Sequence, residues 1–152
     1  MSHYLKSTVK LRSRRGLVAA LRELGFFPTV TDAPTSLVGY RGDRRLEVAD
    51  VIVPRAQLWA ASNDVGFVEL ADGSFDALVS EFDRSMGVRD PRASAGPRDV
   101  NGPRMTVDAW LRRVAQLAGV HEDLILAGEL GLEAERVDLD TGDIDVYVYA
   151  QN

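Results

Sequence analysis

Three short loops with a glycine near their end divide runs of apolar, β-prone residues. They are Gly42-Asp43 between 36–41 and 45–53, Asp72-Gly73 between 65–70 and 74–82, and Thr141-Gly142 between 134–139 and 143–149. A loop this short joins only antiparallel neighbours, because a parallel pair needs a crossover of a dozen residues or more. Three such loops in one chain predict a largely antiparallel sheet.

The remaining periodicities complete the pattern. Residues 3–12 alternate, with Leu5, Val9 and Leu11 on one parity and Lys6, Thr8, Lys10 and Arg12 on the other. That is a strand with one buried face and one wet, basic face. Ser13 reads as an N-cap, Leu17, Val18, Leu21 and Leu24 recur at helical spacing, and Gly25 suits the position after the helix. Phe26 and Phe27 then open a short strand ending near Pro28 or Val30. Thr106 caps a second helix over 107–130, whose stripe includes Trp110, Leu111, Val114, Leu117, His121, Leu124 and Ile125; Gly119 is its weak point. In the last strand, Ile144, Val146 and Val148 share one face, and Asp145, Tyr147 and Tyr149 the other. The expected order is β-α-β-ββ-ββ-α-ββ, an α+β fold with two helices on one face of the sheet. Residues 83–105 hold three of the six prolines, five arginines and no aromatic residue, so they read as a flexible insert in a single domain spanning 1–152.

Charge is divided unevenly. Residues 1–24 carry six basic side chains and one acid, a balance of +5, whereas residues 121–152 carry nine acids and only Arg136, a balance of −8. The bland explanation is that the two ends fold against each other; the sharper one is a partner surface. Sixteen of the eighteen basic residues are arginine.

Catalytic patterns are scarce. The chain has no cysteine, which excludes a thiolate nucleophile, a zinc ribbon and an iron–sulfur site. His3 and His121 lack metal-ligand spacing, and no phosphate-binding glycine loop occurs. No catalytic, metal or cofactor-binding residue is therefore predicted. The absence of a long apolar run argues against membrane insertion, and a cytoplasmic protein is the default expectation. Two surfaces stand out. Asn63, Asp64, Gly66 and Phe67, with Arg41 and Trp59 as candidate companions, form either a polar recognition loop or simply a well-made start to a strand. Lys6, Lys10, Arg12, Arg14 and Arg15 form a basic surface that suits phosphate contact.

Several of these segments, taken in order, resemble one family. They are Met1-Ser2-His3-Tyr4 with the basic strand that follows; Leu17-Val18-Ala19-Ala20-Leu21-Arg22-Glu23-Leu24-Gly25; and Gly39-Tyr40-Arg41-Gly42 through Ala49-Asp50-Val51-Ile52-Val53. Asn63-Asp64-Val65-Gly66-Phe67 with Asp72-Gly73, Trp110-Leu111-Arg112-Arg113-Val114 and Gly142-Asp143-Ile144 complete the set. Together they resemble the hypothetical chloroplast reading frame 35 family, also called domain of unknown function 1257, over nearly the whole chain except 83–105. The resemblance implies no residue-level activity. Members often accompany AAA-type ATPases, which implies an accessory or adaptor role. Three readings follow: a non-catalytic adaptor that binds a larger protein or itself, a nucleic-acid binder using the basic first strand and helix, and a ligand binder or enzyme using the Asn63–Phe67 loop with Arg41, Asp50 or Trp59.

Overall fold

A computed structural model describes residues 4–9, 13–58, 62–89 and 103–149. The elements in order are β1 (Tyr4–Val9), α1 (Arg14–Glu23), β2 (Thr29–Val38), β3 (Arg44–Val53), a 3-10 turn (Arg55–Gln57), β4 (Val65–Glu69), β5 (Phe75–Ser80), α2 (Glu81–Met86), β6 (Val88–Arg89), β7 (Arg104–Met105), α3 (Val107–Glu129), β8 (Glu133–Asp138) and β9 (Ile144–Tyr149). The fold is α+β, as expected. β1-β5-β4-β3-β2 form a five-stranded sheet in which every neighbouring pair is antiparallel. β6–β7 and β8–β9 form two separate pairs.

The three glycine loops adopt one geometry. Gly39, Leu70 and Leu139 each donate their amide to the carbonyl four residues on, and each accepts from the glycine three residues on, at Gly42, Gly73 and Gly142. This is a three-residue turn closed by a bulge, spanning 71–73 at the Asp72-Gly73 loop. Gly73 is the residue of that loop that must bend left-handed, at φ 86°. Asp72 supports it by accepting from the Ser74 amide at 3.0 Å.

One face of the sheet carries the main core. Odd-numbered residues Val51, Val53, Val65, Phe67, Phe75, Ala77 and Val79 point to it, and all are fully buried. Leu17 and Leu21 of α1 and Trp110, Val114 and Leu117 of α3 cover them. Trp110 is the centre, with its ring 5.8 Å from Phe26 and 6.1 Å from Phe67. The opposite face holds a smaller cluster of Leu37, Ala49, Ile52 and Leu78.

Three expectations need correction. Residues 26–30 and 36–41 are not two strands. β2 is continuous over Thr29–Val38, with an irregular register between Val30 and Thr35. Pro34 lies in that irregularity and has no amide to donate, which an edge strand tolerates. Phe26 instead belongs to the end of α1. Its amide bonds the Leu21 carbonyl and the Gly25 amide bonds the Arg22 carbonyl, a Schellman closure that turns the Phe26 ring into the core. Finally, the 83–105 stretch is ordered at both ends: α2 runs to Met86, β6 pairs with β7, and Val88 and Met105 join the core. The rest of that stretch, 90–102, lies outside the described residues.

α3 runs unbroken through Gly119 for 23 residues, a length of about 35 Å. Its end closes as α1 does, with Leu132 bonding Ala127 and Gly131 bonding Gly128. The β8–β9 hairpin then folds back onto the helices. Ile144 packs on the core, Gln116 donates to the Gly142 carbonyl at 2.9 Å, and Arg136 reaches Glu23 of α1 at 2.5 and 2.9 Å. His121 bonds the same carboxylate at 2.8 Å. The Arg136 hydrogen bonds, aided by His121 and opposed by partial burial, hold the Glu23 carboxyl below its ordinary value of 4.5. A depressed carboxyl contributes stability that is complete above the ordinary value and is lost as pH falls through the lower folded one. Acid titration of thermal stability should therefore show a shallower fall in Glu23→Gln than in wild type below about pH 4.5, with the variant less stable at neutral pH. Parallel curves would show that Glu23 does not hold the hairpin.

Candidate functional site

The Asn63–Phe67 segment enters β4, the central strand of the five. Every side-chain polar group on Asn63 and Asp64 is taken by the fold. The Asp64 carboxylate accepts from the Val38 amide and the Arg55 amide, each at 2.8 Å. The Asp64 amide donates to the Val38 carbonyl at 2.9 Å, and the Asp64 carbonyl accepts from the Tyr4 hydroxyl at 2.8 Å. Asn63 Oδ1 accepts from the Tyr40 amide at 2.9 Å. On the other side, Asn63 Nδ2 donates to Ser80 Oγ at 2.9 Å, and the Asn63 amide donates to Asp83 at 3.1 Å. Ser80 caps α2 by accepting from the Asp83 amide, and its hydroxyl donates back to the Asp83 carboxylate at 2.8 Å.

The two adjacent side chains thus tie the end of β2, the β2–β3 loop, the 3-10 turn and the β5–α2 junction to the first residues of β4, and the Asp64 carbonyl adds β1 through Tyr4. Asn63 is 1% and Asp64 6% exposed, and Phe67 is fully buried. Burial pushes the Asp64 carboxyl up from its ordinary value, against the pull of the Arg55 and Val38 amides. The Tyr4 phenol is also pushed up, first by burial and then by Asp64. Gly66 has a steric role. A Cβ there would lie 2.7 Å from the Ala49 Cβ and 2.9 Å from a Leu37 methyl, so the second, smaller cluster needs a residue without a side chain. Chemically, the segment is spent on the fold and presents no polar atom of Asn63 or Asp64 to a ligand. Ser80 and Asp83 complete the junction and were not singled out in the sequence. Their signal is a Ser-x-x-Asp capping pattern straight after an apolar strand.

The other sequence-predicted residues do not gather around this segment. Arg41 is exposed on the β2–β3 turn, with its guanidinium 5.2 Å from the Tyr40 ring centre. Asp50 is held inside the sheet region, where it accepts from the Glu69 amide at 2.9 Å. Trp59, Lys10 and Arg12 lie outside the described residues. Lys6 is exposed. Arg14 donates to the Thr31 carbonyl at 3.2 Å and pairs with Glu69 at 2.8 Å, with Asp50 at 3.9 Å. Arg15 pairs with Glu122 at 3.3 Å and also with Glu129. The basic first helix is thus largely neutralised by acids of the sheet and of α3, which lowers its value for phosphate contact. An open cleft of about 570 Å³ runs beside it, lined by Val18, Ala19, Val30, Arg14, Arg15 and Arg22 among others.

Among the described residues, no group of three or more potential metal ligands is placed to hold an ion, and no helix is long and apolar enough to cross a membrane. Exposed apolar side chains occur at the sheet, such as Leu46 of β3 and Phe27 just before β2, and also in the C-terminal part of the chain. Leu126 and Leu130 near the end of α3, Leu139 in the last loop, and Tyr147, Val148 and Tyr149 of β9 are each between 38% and 71% exposed. No family model, no curated protein and no solved structure matches the chain. The family resemblance therefore rests on the residue pattern by itself.

Removal of the Asp64 carboxylate leaves the Val38 and Arg55 amides without acceptors inside the junction. Asp64→Ala should cost about 3 kcal/mol of unfolding free energy, and Gly66→Ala about 1–3 kcal/mol from overpacking. Urea denaturation followed by far-UV circular dichroism measures both. Wild-type midpoints in the two variants would return the segment to the list of ligand-binding candidates.

Proposed function

We propose that this chain is a non-catalytic accessory module that binds a larger protein partner, acting in the cytoplasm. One observation carries the reading. The segment with the most polar, motif-like character is consumed in the fold, whereas Tyr147 and Tyr149 stand half-exposed on one face of the last hairpin and Leu130 is exposed at the end of α3. Exposed aromatic and aliphatic side chains in one region favour association over chemistry. The internal pairing of Arg14 and Arg15 weighs against the nucleic-acid alternative. The resemblance to the domain of unknown function 1257 family adds an AAA-type ATPase as the partner class.

The test is reconstitution. The chain is mixed with purified AAA-type ATPases from the same source, and complex formation is read by light scattering and by ATP turnover. The proposal expects a defined complex with one of them and an altered turnover rate. A chain that stays a lone monomer with all of them, and is recovered alone from native lysate, contradicts it. Concentration-dependent self-association without a second protein would replace the partner with another copy of the chain.

A further inference from the structure

The β8–β9 register divides the hairpin into two unlike faces. Ala134, Arg136 and Asp138 oppose Val148, Val146 and Ile144 on one face. That face is the inner one, because Ile144 packs on the core and Arg136 reaches Glu23. Glu133, Glu135 and Val137 oppose Tyr149, Tyr147 and Asp145 on the outer face. There Tyr147 and Tyr149 are 47% and 48% exposed. Their hydroxyls lie 3.3 Å from Asp145 and 3.4 Å from Glu135, so the rings and the carboxylates form one strip.

Resting on the protein-binding reading above, we infer that this outer face is the docking strip and that its occupant is an extended, arginine- or lysine-bearing segment of the partner. The argument is one of charge. Glu133, Glu135 and Asp145 make no ion pair among the described residues. Arg136 is the hairpin's one cation, and it is turned inward and shared by Glu23 and Asp138. Three like charges on a two-stranded sheet repel one another, and nothing on that face offsets them. A cation laid over the strip would meet carboxylates and the faces of two tyrosine rings together, which is the arrangement that favours guanidinium and ammonium groups. Anionic surfaces such as nucleic acid or acidic lipid are repelled by it. A wholly apolar partner would have to bury the carboxylates unpaired. A second copy apposed through the same face would bring acids against acids.

Spacing narrows the occupant further. Tyr147 and Tyr149 are two residues apart on one strand, so their side chains repeat at about 7 Å. An extended segment with a cation at every second position has the same repeat. Among the described residues β8 and β9 pair only with each other, so each also leaves one edge without another strand among them.

The test uses the whole chain and a fluorescent peptide alternating arginine with threonine, read by anisotropy at low salt. The control peptide has glutamate in place of arginine. Wild type should bind the arginine peptide saturably and ignore the control. Affinity should fall about tenfold in E133Q/E135Q/D145N and on raising the salt severalfold. Y147A/Y149A should weaken it similarly, while Y147F/Y149F, which keeps both rings, should retain binding. Circular dichroism confirms that each variant is folded. Equal affinity in wild type and the neutralised variant, or equal binding of both peptides, overturns the inference. If the ATPase complex forms undiminished with these variants, the accessory reading stands and the docking strip falls. Loss of both the complex and the peptide in the same variants supports the two together.

Discussion

The buried junction at Asn63 and Asp64 sets the terms for the rest of the molecule. A five-stranded sheet assembled from hairpins has its strand ends in separate loops, and each loop carries backbone groups that need partners once water is excluded. Here one carboxylate closes two of those groups, at Val38 and Arg55, and one amide side chain closes the Tyr40 amide while reaching Ser80. The charge of Asp64 makes its bonds stronger than neutral ones and makes the loss of either partner costly. The central strand then starts from a fixed point, and the alternation of Val65 and Phe67 toward Trp110 follows from it. A motif that looks like a recognition loop is in this way a fastening of the core.

The uneven charge of the chain resolves into two parts. Two of the six cations of the basic start, Arg14 and Arg15, are paired with Glu69, Glu122 and Glu129. The link also runs the other way, since Glu23 of the first helix receives Arg136 and His121 from the acidic end. The two ends do fold against each other, through α1 and α3 rather than as neighbours in one sheet. The outer face of the last hairpin is left with acids that nothing on that face offsets, beside two half-exposed tyrosines. The ion pairs engage Arg14 and Arg15 of the basic end, whereas Glu133, Glu135 and Asp145 at the acidic end make no ion pair among the described residues.

Much of the architecture was legible because local signals and tertiary demands agreed. The three glycine loops, the caps at Ser13 and Thr106 and the inward parity of Ile144 and Val146 all act within a few residues of themselves. The failures have physical causes too. Pro28 and Val30 look like the end of a short strand before a second one at 36–41, yet β3 offers an edge along which one irregular strand continues past Pro34. Phe26 looks like a strand start, but the Schellman closure turns it into the core. The arginine- and proline-rich stretch hides α2, whose capping residues Ser80 and Asp83 are fixed by Asn63, about twenty residues earlier in the chain. That dependence on distant partners also explains the candidate site. The composition of Asn63–Phe67 was visible, but whether its polar atoms faced a ligand or the fold depended on Val38, Arg55 and Tyr40, which no local pattern connects to it.

Amide hydrogen exchange resolved by residue tests the central claim most directly. If Asp64 and Asn63 fasten the core, the Val38, Tyr40 and Arg55 amides should exchange as slowly as those of Val51 and Phe67 in the sheet, through global unfolding alone. Exchange of those three amides at the rate of the exposed 139–143 loop would contradict the account.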